Sequence, residues 1–186
     1  GNSALAWMAA RKLQQHTSAE IMQMPGWGTL QHYYSIPYYI ATKLGMYDTI
    51  LSLPSPPNHL PYPTAIWHYA RGTAFAGKND LANAQKELAA LEIISTDSSL
   101  EKLSIWNINT VADLVQIARH SLAANLAGRQ GRSDTAIALL ERAVALEDNL
   151  NYNEPPDWFF SVRHQLGATL LQSGQYAAAE KVYRQD

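Results

Sequence analysis

The stretch Leu166-Gly167-Ala168-Thr169-Leu170-Leu171-Gln172-Ser173-Gly174-Gln175-Tyr176-Ala177-Ala178-Ala179-Glu180-Lys181-Val182-Tyr183 decides the fold. Two runs of helix formers flank a Ser-Gly-Gln turn, and the small Gly167 on the first run is followed twelve positions later by Ala179 on the second. The same spacing joins Ala124 to Ala136 across Gly-Arg-Gln-Gly-Arg-Ser (128–133), and Gly72 to Ala84 across Gly-Lys-Asn-Asp (77–80). Helices approach to ~8–10 Å only where the crossing side chains are small. Gly72 with Ala84 and Gly167 with Ala179 are therefore expected contacts, and Gly167→Leu is expected to overpack at a cost of about 1–3 kcal/mol. A recurring helix–turn–helix unit of fixed internal spacing points to a stacked array, which carries function on a surface and not in a single catalytic pocket.

Working outward, strong helix formers with Leu5, Met8 and Leu13 predict a helix over 3–15, ended by Pro25-Gly26-Trp27-Gly28. An aromatic helix over 29–44 carries Tyr33, Tyr34, Tyr38 and Tyr39 around Pro37, where a kink is expected. Gly45 closes it and 47–53 supplies a short partner. Prolines 54, 56, 57, 61 and 63 then hold an extended connection. Thr64 is placed to cap a helix to about residue 76, and Asp80 one to about 92. Ser98-Ser-Leu-Glu101 reads as a capping box, Asn109 or Thr110 opens a helix to about 127, and Ser133 caps 134–147. Asp157 after Pro155-Pro156 is expected to cap 158–173, with a last helix over 176–185. No strand pattern competes.

These residues resemble the tetratricopeptide repeats (TPR). Leu166-Gly167, Leu170, Gly174, Ala179 and Tyr183 follow that repeat's order of Leu-Gly, large residue, Gly, Ala and aromatic, with Arg163 at its usual Trp position. Ala123-Ala124, Ala127, Gly131, Ala136 and Leu140 stand in the same places one unit earlier, and Arg71-Gly72, Phe75, Asn79, Ala84 and Leu88 one before that. Tyr38, Ala41, Gly45 and Ile50 make a fainter fourth. Gly45 to Asn79 is 34 residues, the family's period; the steps to Gly131 and Gly174 are 52 and 43. The resemblance implies an all-α, right-handed α-α superhelix (solenoid) of antiparallel helix pairs. Residues 1–28 would be the second helix or cap of a preceding unit. Residues 29–186 would form about four pairs with insertions at 93–110 and 149–157.

Composition excludes several functions. The chain is 47% hydrophobic and only 16% charged, against roughly 25% charged in an average soluble protein, which favours a folded, weakly charged surface. A net charge of −2 offers no basic stripe for nucleic acid, and no apolar run approaches a membrane span. Without cysteine there is no disulfide or thiolate chemistry, while the compartment stays open, cytoplasmic or exported. The chain begins Gly-Asn-Ser without an initiator Met and stops at Asp186 inside a helix, so it reads as a piece of a longer protein. An unfinished last pair would leave Leu170, Leu171, Val182 and Tyr183 partly exposed, a face open to self-association.

In the resembling family the first helix of each pair lines a concave groove. That places His32, Ser35, Tyr39 and Thr42, then Tyr69, Thr73 and Ala76, then Ser121, Asn125 and Arg129, then Ser161, His164 and Leu171 on one mixed polar and aromatic surface. Such a surface suits an extended peptide or partner protein, and the expectation is a non-enzymatic interaction scaffold without cofactor. Of the family's carboxylate clamp only Asn125 is suitably placed, since Ser35, Tyr69 and Ser121 hold the cationic positions. The six histidines, His16, His32, His59, His68, His120 and His164, form no His-x-x-x-His pair, so structural roles outweigh a metal site. Tyr33, Tyr34, Tyr38, Tyr39, Trp67 and Tyr69 read as packing between pairs before they read as a ligand cage. The competing expectation is an accessory domain of a larger enzyme or transport assembly. It rests on Glu154-Pro-Pro-Asp157-Trp158, where Glu154 and Asp157 could form an acid pair with Arg163 and His164 nearby.

Overall fold

The structure is a computed structural model and describes residues 2–186. It is mostly helical. The ten helices among the described residues are α1 (Asn2–Gln15), α2 (Ala19–Met22), α3 (Gly28–Lys43), α4 (Tyr47–Ser52), α5 (Pro61–Gly77), α6 (Leu81–Ile94), α7 (Val111–Arg129), α8 (Ser133–Asp148), α9 (Val162–Gln172) and α10 (Tyr176–Arg184). From Gly28 onward they pack in consecutive pairs: α3 with α4, α5 with α6, α7 with α8, and α9 with α10. First helices also pack side by side, α1 on α3, α3 on α5 and α5 on α7, whereas α9 packs mainly on α8. No described helix is long and apolar enough to cross a membrane.

The four pair-joining turns share one geometry. Gly45, Asn79, Gly131 and Gly174 all adopt positive φ, between 63° and 77°. In each turn the following N–H (Met46, Asp80, Arg132, Gln175) donates to the carbonyl five residues back, on Ala41, Phe75, Ala127 and Leu170. This left-handed C-terminal cap satisfies carbonyls the helix end would otherwise orphan, and glycine adopts it without steric cost. Asn79 is the one non-glycine, a residue type that tolerates the conformation.

Several helix starts follow the sequence. The Asp80 carboxylate accepts from the Asn83 N–H at 3.2 Å and caps α6, and the Thr110 hydroxyl caps α7 by accepting from Asp113. Others differ. α5 begins at Pro61 and not after Thr64, because a proline in the first turn forfeits only N–H groups that have no helical partner there. Pro37 neither ends nor divides α3: packing against α1 and α5 carries the helix through it, although the Tyr33 carbonyl loses its donor. Asp97, not Ser98, caps the 3-10 turn Ser98–Lys102, and Ser133 is the first residue of α8 and does not cap it. A two-residue ladder, absent from the sequence reading, pairs β1 (Ser104–Ile105) with β2 (Asn109–Thr110), Ser104 opposite Thr110. Two residues are too few to show alternation. Its connection holds Trp106 and Asn107 at φ 53° and 56°. Asp157 does not cap α9; Ser161 does, accepting from the Arg163 N–H, and Asp157 turns inward.

The small residues make room for partners other than those expected. A Cβ on Gly72 would lie 2.5 Å from Leu122 Cδ2, so this glycine lets α7 close against α5, between pairs. A Cβ on Gly167 would run into the Tyr183 ring of α10. Ala84 and Ala179 are fully buried all the same. At the C-terminal end Leu171 and Tyr183 are exposed and Val182 is half-buried, but Leu170 is buried, because it points into the α9–α10 pair.

Candidate functional site

The thirteen groove positions do not form one surface. His32, Ser35, Tyr39, Tyr69 and Ser121 are buried, with Tyr39 at 0% exposure. Thr73 is half-buried on α5. For His32, Tyr39 and Tyr69 the cause is the segment after α8, which crosses to α3 and α5 and covers their face. Trp158 is buried edge-on against Tyr39, ring centroids 5.4 Å apart at 89°, and lies 5.5 Å from Tyr69. Phe159 stacks on Tyr39 at 5.2 Å and 15°. Large rings bury much apolar area and prefer such offset or edge geometry, so the segment closes the face firmly.

Amide side chains pin this segment. The two Asp157 carboxylate oxygens accept from Asn109 Nδ2 and Asn153 Nδ2, both at 2.8 Å. Asn109 also donates to the Asn151 carbonyl at 2.9 Å and accepts from the Asn151 N–H at 2.7 Å. β2 is thereby tied to the loop 42 residues on. Beneath it, Tyr39 Oη lies 3.3 Å from Tyr62 Oη, which lies 2.8 Å from His32 Nδ1. Burial pushes both phenols up and lowers His32 to about 4, so the chain is uncharged at neutral pH.

Glu154 and Asp157 border a common opening, but Arg163 and His164 do not join them. Arg163 makes a bidentate pair with Asp148 at 2.6 and 2.7 Å, and His164 Nε2 is 2.7 Å from Asp186. Glu154 is exposed and accepts from the Tyr152 hydroxyl; the Glu154–Pro155 peptide bond is cis. Asp157 has both oxygens occupied by amides. An acid pair working on one substrate atom is therefore not assembled here. His68 Nδ1 is instead 2.6 Å from Glu87, which also accepts from Arg71 Nε at 2.8 Å. Among the described residues no group of three His, Asp or Glu could hold a metal.

Three of the expected positions do share an opening. Ser121, Asn125 and Arg129 of α7 face Gln165, Thr169 and Gln172 of α9 across a cleft of about 430 Å³. It exists because α9 packs on α8 and stands off from α7. The Ser121 hydroxyl at its base is buried without a hydrogen-bond partner. Sequence reasoning chose His164 and Leu171 on α9 and missed this stripe. The signal was present, as Gln165, Thr169 and Gln172 recur at i, i+4 and i+7. Thr42, Ala76 and Ser161 are not part of the cleft. Glu147, at the end of α8, accepts from the Val162 N–H at 2.9 Å, and its burial raises the carboxyl to about 7.

No protein-family model, curated protein or solved structure matches the chain.

Proposed function

We propose that the chain is a tetratricopeptide-like right-handed superhelix that acts as an interaction scaffold, holding an extended peptide in the cleft between α7 and α9. The repeat reading is supported by the four equivalent left-handed turns and by the pairing of successive helices. The observation that carries the peptide reading is the cleft's lining. Asn125, Gln165 and Gln172 offer amide donors and acceptors, and Thr169 and the unpartnered Ser121 offer hydroxyls, which suits the alternating groups of a peptide backbone. Arg129 supplies the positive charge and is exposed without an ion-pair partner among the described residues, so the peptide should carry an acidic group beside it. A volume of about 430 Å³ accommodates a few residues.

The test is selection of binders from a random peptide display on the purified protein, followed by titration of one binder against Asn125→Ala/Arg129→Ala. The reading expects acidic peptides whose affinity falls at least about tenfold in the double variant, roughly the effect of losing one charge-assisted contact. Binders indifferent to both changes, or no binders at all, would count against it.

A further inference from the structure

Beside the 149–161 segment lies another opening, of about 270 Å³, between α3, the β1–β2 connection and the loop. Its walls include Tyr33, Trp106 and Phe159, and its charged groups are the carboxylates of Glu154 and Asp157. No lysine or arginine lines it, and among the described residues neither carboxylate has an ion-pair partner. Asp157 is buried and is held by neutral amides alone, so its negative charge is hydrogen-bonded but not neutralised. Burying a carboxylate without a counter-charge is costly, and a cation arriving beside it would recover part of that cost.

His32 adds an independent observation. Its side chain borders the opening with its residue only 4% exposed, and Nδ1 is engaged by Tyr62, which does not line the opening. His32 lines the opening, and its Nε2 has no hydrogen-bond partner among the described residues. Because burial keeps this imidazole neutral, it does not repel a cation. Trp106 is also unusual. A bulky residue at φ 53° is uncommon, yet here it stands 58% exposed at the opening, its ring 6.3 Å from Tyr33 and edge-on, its N–H bonded to Thr29 Oγ1 at 2.9 Å. The backbone conformation belongs to the tight turn between β1 and β2, in which the Ile108 N–H donates to the Ile105 carbonyl at 2.9 Å, and that turn presents the exposed indole at the rim of the opening.

We propose that this opening binds a small alkylammonium cation, its charge against the faces of Tyr33, Trp106 and Phe159 and toward Glu154 and Asp157. Aromatic faces attract cations through the ring quadrupole, and a quaternary ammonium has no N–H groups that the rings would leave unsatisfied. The volume accommodates a ligand of about the size of choline, either free or as the trimethylated end of a lysine side chain. This site shares no residue with the α7–α9 cleft and does not depend on the peptide reading.

The experiment is calorimetric titration of the purified chain with choline, with its uncharged isostere 3,3-dimethyl-1-butanol, and with a short peptide bearing trimethyllysine. Choline should bind at least about tenfold more tightly than the isostere. Trp106→Ala and Glu154→Gln, both at exposed positions, should each weaken choline at least about fivefold while the thermal melt stays unchanged. Asn125→Ala/Arg129→Ala should leave it as it is, which separates failure here from failure of the peptide cleft. Tighter binding of the trimethyllysine peptide than of choline would assign the cation to a protein partner, and the reverse to a free small molecule. Equal binding of choline and isostere, indifference to both variants, or no heat up to about 10 mM choline would overturn the proposal.

Discussion

Glu147 turns its carboxylate toward the first N–H of α9, with Arg163 attracting it and Asp148 and Asp186 repelling it, and burial dominates. Its folded value of about 7 lies above the ordinary 4.5, so between those values the folded state holds more protons than the unfolded one. The stability it contributes is full below about 4.5 and is lost as pH rises through about 7. Glu147→Gln keeps an acceptor for Val162 and removes the charge. Its melting temperature should exceed that of the wild type at pH 8 and match it near pH 4.5, and equal shifts at both would contradict the assignment. His32 and His120 work in the opposite sense. Burial lowers both to about 4, with Arg119 and Arg142 adding to the effect at His120, so the wild type should lose stability as pH falls from 6.5 to 4. Gly28 is a residue-scale constraint of another kind. A Cβ there would lie 2.6 Å from the Ser104 carbonyl oxygen, which is backbone and cannot rotate away. Gly28→Ala should therefore cost about 1–3 kcal/mol in urea denaturation, more than Gly167→Ala, where the exposed Tyr183 ring can swing aside.

At the scale of elements, the helices that were legible carry local signals. The Asp80 and Thr110 caps and the Gly131 and Gly174 turns act over a few residues, and local chemistry fixes them. The destination of 149–161 was not legible, because it is decided by Trp158 and Phe159 meeting Tyr39 and Tyr69, more than 85 residues away in sequence. The same loop sends Asp157 inward, and so the capping pattern after Pro155-Pro156 pointed to the wrong residue. Tyr39 and Tyr69 were legible as aromatic and facing the right way, yet nothing local said they would be covered. Trp158→Ala should test the covering directly. Truncating a buried indole costs about 3–5 kcal/mol, and here it should also make Tyr39 and Tyr69 accessible to solvent-borne fluorescence quenchers. A loss below about 1 kcal/mol would mean that the loop rests on α3 and α5 without holding them.

Across the whole molecule, the 149–161 segment shapes the exposed surface. It closes the side of α3 and α5, borders the aromatic opening near Glu154, and leaves α9 standing off from α7. On the proposed function the polar cleft between α7 and α9 holds the extended partner, and Ser121, Asn125 and Arg129 of its lining were expected positions. On α9 the expected His164 and Leu171 each stand one residue before Gln165 and Gln172, which with Thr169 line the cleft at i, i+4 and i+7. The most direct test is hydrogen exchange on the chain with and without a display-selected peptide. Slower exchange confined to 121–132 and 162–173 is the predicted result; protection centred on 29–43 and 61–77, with the α7–α9 cleft unchanged, would contradict it.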